Sequence, residues 1–141
     1  VRVFIDTNLW VYRLDRRERE KSTFISQWLR EQAIDNEIVI STQVLIELRS
    51  VIMRKLKPAL SWHDTQAALA ALAGFEVVPA NANLVLDAHG LAAAEKLSWF
   101  DALIAEAALR SGCALLYSED LDHGRLIGDM RISNPFNQGS S

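Results

Sequence analysis

Cysteine is nearly absent: Cys113 is the single one in 141 residues. That excludes an intrachain disulfide framework and a multi-cysteine zinc site, and it points to a reducing, cytoplasmic setting. No apolar run reaches membrane-spanning length, so no transmembrane helix is expected. The opening Val1-Arg2-Val3-Phe4-Ile5 runs straight into Asp6 and lacks the pattern of a signal peptide. Positive charge is not in excess either, since 15 Lys and Arg face 18 Asp and Glu. A surface that binds nucleic acid everywhere is thereby excluded. Contact with a polyanion needs a local basic cluster, or metal ions held by acids. The three histidines, His63, His89 and His123, show no metal-ligand spacing.

What is present is a chain that is 50% hydrophobic, enough to form one core and too short for two domains. Residues 1–136 read as a single domain, and residues 137–141 as a disordered tail or cloning remnant. Short apolar runs at Val3–Ile5, Ile38–Ile40, Phe75–Val78 and Ala114–Tyr117 read as strands, with a last strand at Arg131-Ile132. Helical patterns fill residues 22–34, 43–57, 61–73, 83–96 and 98–112. A short helix is expected around His123 to Ile127, and a solvated loop or helix end from Arg13 to Lys21. This alternation predicts an α/β fold, three-layered, with a mostly parallel sheet of about four or five strands.

Ligands in such folds bind beyond the carboxyl ends of the strands. Asp6 follows the first strand and Asp120 the fourth. Glu47 sits at the border of an apolar helical stripe that contains Val44, Leu48 and Val51. Asp101 lies three residues after Ser98, as in a capping box, yet shares its helical face with Ile104, Ala105 and Ala108. Each acid alone has an ordinary structural explanation. Four acids converging would repel one another, at about 4 kcal/mol for a pair about 4 Å apart at an effective dielectric of about 20. A divalent cation offsets such repulsion, and an all-carboxylate set favours Mg²⁺ or Mn²⁺ over Zn²⁺.

Several segments carry a resemblance, in this order: Phe4-Ile5-Asp6-Thr7-Asn8, Ser41-Thr42-Gln43-Val44-Leu45-Ile46-Glu47-Leu48, Ser98-Trp99-Phe100-Asp101-Ala102-Leu103-Ile104-Ala105, and Leu116-Tyr117-Ser118-Glu119-Asp120-Leu121-Asp122. Together with the ending Arg131–Phe136, they make the chain resemble a PIN-domain ribonuclease of the VapC toxin type. The resemblance implies a PIN-like α/β/α fold and a metal-dependent endoribonuclease with Asp6, Glu47, Asp101 and Asp120 as catalytic acids. Of these, Asp6, Asp101 and Asp120 would bind Mg²⁺ or Mn²⁺. Ser118 matches a small hydroxyl residue of the site, and Asn8 a polar residue that braces the first loop. Thr7 reads as structural. Asp122 stands between a helix cap and an outer acid of the site. Glu119 stands where many members have a smaller polar residue.

The resemblance further implies a cytoplasmic homodimer, held inactive by a cognate antitoxin, with RNA as substrate and tRNA prominent among targets. Arg49, Arg54, Lys55 and Lys57 form the cleanest basic cluster and are the candidate RNA contacts. Two other readings stay open: a catalytically silent PIN-like module that binds RNA or protein, and a DNA-cutting relative. A receiver domain is disfavoured because no acid follows strand three and no lysine follows Lys96. A dehalogenase-type phosphatase is disfavoured because Asn8 stands where it needs a second Asp. A dinucleotide-binding domain is disfavoured because the first turn has no glycine.

Overall fold

The structure, a computed structural model, describes residues 1–140. Strand β1 (Arg2–Ile5) runs into α1 (Thr7–Leu14), and α2 (Arg19–Asp35) leads to β2 (Glu37–Ser41). Then come α3 (Thr42–Lys55), α4 (Trp62–Ala73), β3 (Glu76–Val78), α5 (Ala82–Glu95) and α6 (Trp99–Arg110). Strands β4 (Leu115–Tyr117), β5 (Leu126–Ile127) and β6 (Met130–Ser133) precede a closing 3-10 helix, Pro135–Ser140. The residues set apart as a tail thus continue in this helix up to residue 140, and Ser141 lies outside the described residues.

The sheet has the order β3-β2-β1-β4-β6-β5. All neighbours are parallel except β5 and β6. The chain winds outward from β1 through β2 to β3, then returns to lay β4 and β6 along the other flank of β1. The order therefore reverses between β1 and β4, the place where doubly wound sheets open a binding crevice. Register fixes what meets there: Ile5 pairs with Tyr117, so Asp6 and Ser118 emerge side by side.

The strands are continuous apolar runs because helices cover the sheet. Val3, Phe4, Ile5, Val39, Ile40, Leu116 and Ile132 are wholly buried. Helix α1 packs on α2 and α3, α3 on α4, and α5 on α6. Five helices start on a capping side chain, Asp6, Ser41, Ser61, Asn81 or Ser98, each accepting a first-turn amide.

Helix α1 starts directly after β1, because Asp6 itself caps it. The charged stretch from Arg13 to Lys21 is, as expected, loop and helix ends: it closes α1, forms the link and opens α2. One local expectation fails: the helix expected at 123–127 is absent. Instead β5 and β6 form a hairpin in which Ile127 opposes Met130 across Gly128-Asp129. Gly128 has φ of 60° and Asp129 is not left-handed, the pattern of a tight turn with Gly first. The hairpin supplies a sixth strand. A Cβ at Gly128 would meet only Leu109 Cδ2, at an ordinary 3.7 Å, so the demand there is on the backbone. Replacing Gly128 by Ala is expected to lower the unfolding free energy by about 1–2 kcal/mol. Urea denaturation measures this as a lower midpoint at unchanged slope.

Candidate active site

Asp6 is the first residue past a buried strand, and it is only 7% exposed. Its backbone N–H donates to the Tyr117 carbonyl at 2.9 Å, extending the β1–β4 ladder by one residue. Its Oδ1 accepts the Thr7 amide at 2.7 Å as the cap of α1. Its Oδ2 accepts the Ser118 hydroxyl at 2.9 Å, and Ser118 is itself wholly buried. The hydroxyl oxygen of Ser118 also accepts the Asp120 amide at 3.1 Å, which shapes the turn after β4.

The other three acids arrive from different elements. Glu47 lies on α3, where its Oε1 accepts the Thr7 hydroxyl at 2.9 Å and its Oε2 the Gln43 amide at 3.4 Å. Gln43 also donates to the Phe100 carbonyl at 3.3 Å, joining α3 to the first turn of α6. Asp101 stands in that turn. Its amide donates to Ser98 Oγ at 3.4 Å, so the helix is capped through the backbone while the Asp101 side chain faces the other acids. Asp120 Oδ2 accepts Asn8 Nδ2 at 2.6 Å. Asp6, Asn8, Glu47, Asp101, Asp120 and Arg54 all wall one cavity of about 340 Å³.

Electrostatics follow from the placement. Burial pushes the Asp6 carboxyl up to about 6, against the two hydrogen bonds that lower it, and the nearby Glu47 and Asp120 add to the rise. Asp120 is also raised, first by burial and then by the charges of Glu119, Asp101 and Glu47, while Lys55 works the other way. Among the described residues, no three His, Cys, Asp or Glu side chains converge closely enough to enclose an ion. The carboxylates line the cavity, and neutral Thr7, Asn8 and Ser118 hydrogen-bond to Glu47, Asp120 and Asp6 respectively. The donor set is nonetheless one of hard oxygens under mutual repulsion, which suits a divalent cation. A carboxylate has about four acceptor sites, so the present hydrogen bonds leave room for one.

The four acids read from the sequence thus line one cavity, with Asn8 bonded to Asp120 and Ser118 to Asp6. Asp122 is not: it is exposed, it does not line the cavity, and the helix it was to cap does not exist. Of the basic cluster, Arg54 walls the cavity, and Arg49 lies in the adjoining groove between α3 and α4. Lys55 and Lys57 are exposed beyond them. Sequence reasoning missed Gln43 and took Thr7 only as structural. Gln43 sits four residues before Glu47, a spacing that puts both on one helical face.

Asp6 holds its proton more tightly when folded, so its ionisation opposes folding. The native state keeps the proton between about pH 4 and 6 while the unfolded chain loses it, and stability falls across that window. Asp6→Asn removes the ionisation, and metal-free protein at pH 7.5 is expected to gain about 1–3 kcal/mol of stability. Thermal unfolding in EDTA at pH 4.5 and 7.5 checks this: the advantage of the variant over the parent should be larger at the higher pH.

Comparison with known proteins bears on the family and the fold. The profile of the PIN domain matches residues 3–128. No curated protein matches the sequence. Among solved structures, VapBC2 from Rickettsia felis, bound to a DNA fragment from their promoter, aligns with a TM-score of 0.66 and 21% identity. That alignment covers 95% of this chain and 98% of the other. A toxin-antitoxin complex from Klebsiella pneumoniae aligns at 0.68 and 19%, over 94% of this chain and 97% of the other. The Mycobacterium tuberculosis VapC20, a sarcin-ricin loop cleaving toxin, aligns at 0.61 and 19%, over 85% and 91%. These likenesses concern the fold. The profile spans β1 to β5 and all four acids of the cavity, and the chain belongs to the PIN domain family.

Proposed function

We propose that this chain is a metal-dependent endoribonuclease that acts as the toxin of a toxin–antitoxin pair. The observation that carries the reading is that Asp6, Glu47, Asp101 and Asp120 line one cavity at the sheet's switch point. The family membership supports nuclease chemistry. The similar VapC20 is a sarcin-ricin loop cleaving toxin, and the similar Klebsiella protein belongs to a toxin-antitoxin complex. In this reading Asp6, Asp101 and Asp120 hold Mg²⁺ or Mn²⁺, with Glu47 as the fourth catalytic acid. The ion, when bound, supplies a water nucleophile at neutral pH and charge stabilisation for the phosphoryl group and leaving oxygen.

The chain's own residues do the rest. Ser118 and the Thr7 amide fix the Asp6 carboxylate, and Asn8 fixes that of Asp120. Arg54 on the cavity wall faces the phosphate backbone, and Arg49, Lys55 and Lys57 continue the positive track along and beyond α3. RNA is the substrate, with structured RNAs such as tRNA the first to try. The cognate antitoxin silences the site by placing a basic side chain among the acids, where charge-assisted hydrogen bonds are strong. The working form is a cytoplasmic homodimer. No helix among the described residues is long and apolar enough to cross a membrane.

Cleavage of total cellular RNA with Mn²⁺, with and without EDTA, tests the reading. Discrete fragments are expected from the parent chain, none in EDTA, and a loss of at least about 100-fold for Asp101→Asn. Equal cutting by folded Asp101→Asn would remove Asp101 from the chemistry. Silence of both, with no Mn²⁺ binding, would favour a binding module. Reversing Lys55 and Lys57 to Glu should weaken RNA binding and reduce its salt slope by about 2. Titrations at two ionic strengths measure this.

A further inference from the structure

Glu119 separates Ser118 from Asp120, yet it does not line the acid cavity. Both of its oxygens are engaged elsewhere, by Tyr12 and Lys21. Tyr12 Oη donates to Glu119 Oε1 at 2.7 Å. Lys21 Nζ donates to Glu119 Oε2 at 3.4 Å and to Tyr12 Oη at 3.3 Å. The ammonium also lies 4.8 Å from the Tyr12 ring centre and 5.2 Å from that of Phe136. Phe136 meets Tyr12 edge-on at 5.4 Å and Phe24 at 5.4 Å. The cluster therefore joins α1, α2, the turn after β4 and the closing 3-10 helix. The Glu119 side chain is 25% exposed.

Helix α1 thereby grips this turn twice. Asn8 and Tyr12 are four residues apart, on one helical face. Asn8 takes Asp120, and Tyr12 takes Glu119. Two adjacent side chains of the turn are thus held by one helix, Asp120 lining the cavity and Glu119 outside its lining. Asp120 needs such a hold, because the charges of Asp101 and Glu47 face it across the cavity and that of Glu119 stands beside it. Lys21 pairs with the last of these, away from the cavity lining. We propose that Glu119 is a positioning residue: through Tyr12 and Lys21 it fixes the 118–120 turn that presents Asp120 to the acid cavity. This rests on the reading of the cavity as a metal-holding site, and it excludes Glu119 from the ligands.

The test uses the full chain and the variants Tyr12→Phe, Glu119→Ala and Glu119→Gln. Tyr12→Phe keeps the ring contacts and removes only the hydroxyl, while Glu119→Gln keeps an acceptor for it. Hydrogen exchange without metal is read first, at the Asp120 amide that donates to Ser118. About fivefold faster exchange is expected in Tyr12→Phe and Glu119→Ala, with β1 and β4 unchanged and Glu119→Gln near the parent. Calorimetry with Mn²⁺ alone is read second, beside Asp120→Asn. Losses of about tenfold or more in affinity are expected for Tyr12→Phe and Glu119→Ala, with Glu119→Gln largely rescued.

Unchanged exchange in Tyr12→Phe and Glu119→Ala overturns the proposal, whatever Mn²⁺ does. So does a Glu119→Gln as defective in Mn²⁺ binding as Glu119→Ala while Tyr12→Phe is silent, since Glu119 would then be a ligand. If the parent binds no Mn²⁺, the metal-site reading falls, and the claim that Glu119 serves a metal ligand falls with it. Accelerated exchange would then show only a structural clamp.

Discussion

Asp6 sits at the end of a strand whose three preceding side chains are wholly buried, and a carboxylate there resists ionisation. The rest of the site can be understood as the means of keeping it in place. The β1–β4 pairing delivers Ser118 to one oxygen, and the start of α1 delivers the Thr7 amide to the other. Those bonds do not cancel the desolvation, and neighbouring acids add to it. The protein therefore carries an unfavourable charge cluster at the one crevice its topology opens. Sites that hold strain of this kind are generally upheld by surrounding structure and are sites of function.

The upholding structure is economical in its use of α1. Thr7, Asn8 and Tyr12 lie within the first six residues of that helix and reach Glu47, Asp120 and Glu119 respectively. One short helix, capped by Asp6 itself, thereby connects three of the four cavity acids to a common frame. Trp10 adds to its anchorage: the ring is buried, and Nε1 donates to the Ile5 carbonyl at 3.1 Å. Asp101 alone is set by another route, through the Ser98 cap and the Gln43 bridge to α6.

The acids themselves were legible because each occupies a position that has meaning along the chain. Asp6 and Asp120 follow apolar runs, Asp101 follows a helix cap, and Glu47 borders an apolar stripe. The alternation of strand and helix was enough to predict a parallel sheet. The partners were less legible, because side-chain contacts between distant segments leave no local trace. Tyr12 and Glu119 are 107 residues apart in sequence, and Lys21 and Glu119 are 98 apart. The misread helix at 123–127 has a local cause. Gly124 and Gly128 both take positive φ, which interrupts a helix, and Gly128 turns β5 back onto β6 as a hairpin. Asp122 was misplaced with it.

The two margins of the sheet have a consequence for assembly. On one side β3 is three residues long and is followed by Pro79, and on the other β5 is two residues long. Neither offers enough unpaired amides and carbonyls to template a neighbouring chain, and proline cannot donate at all. Extension of the sheet from molecule to molecule is therefore closed off at both ends. Most of the large exposed apolar side chains lie instead on helices, Ile46, Leu86 and Phe100 among them. At high concentration the protein thereby lacks one common route to fibres, the pairing of sheet edges between molecules.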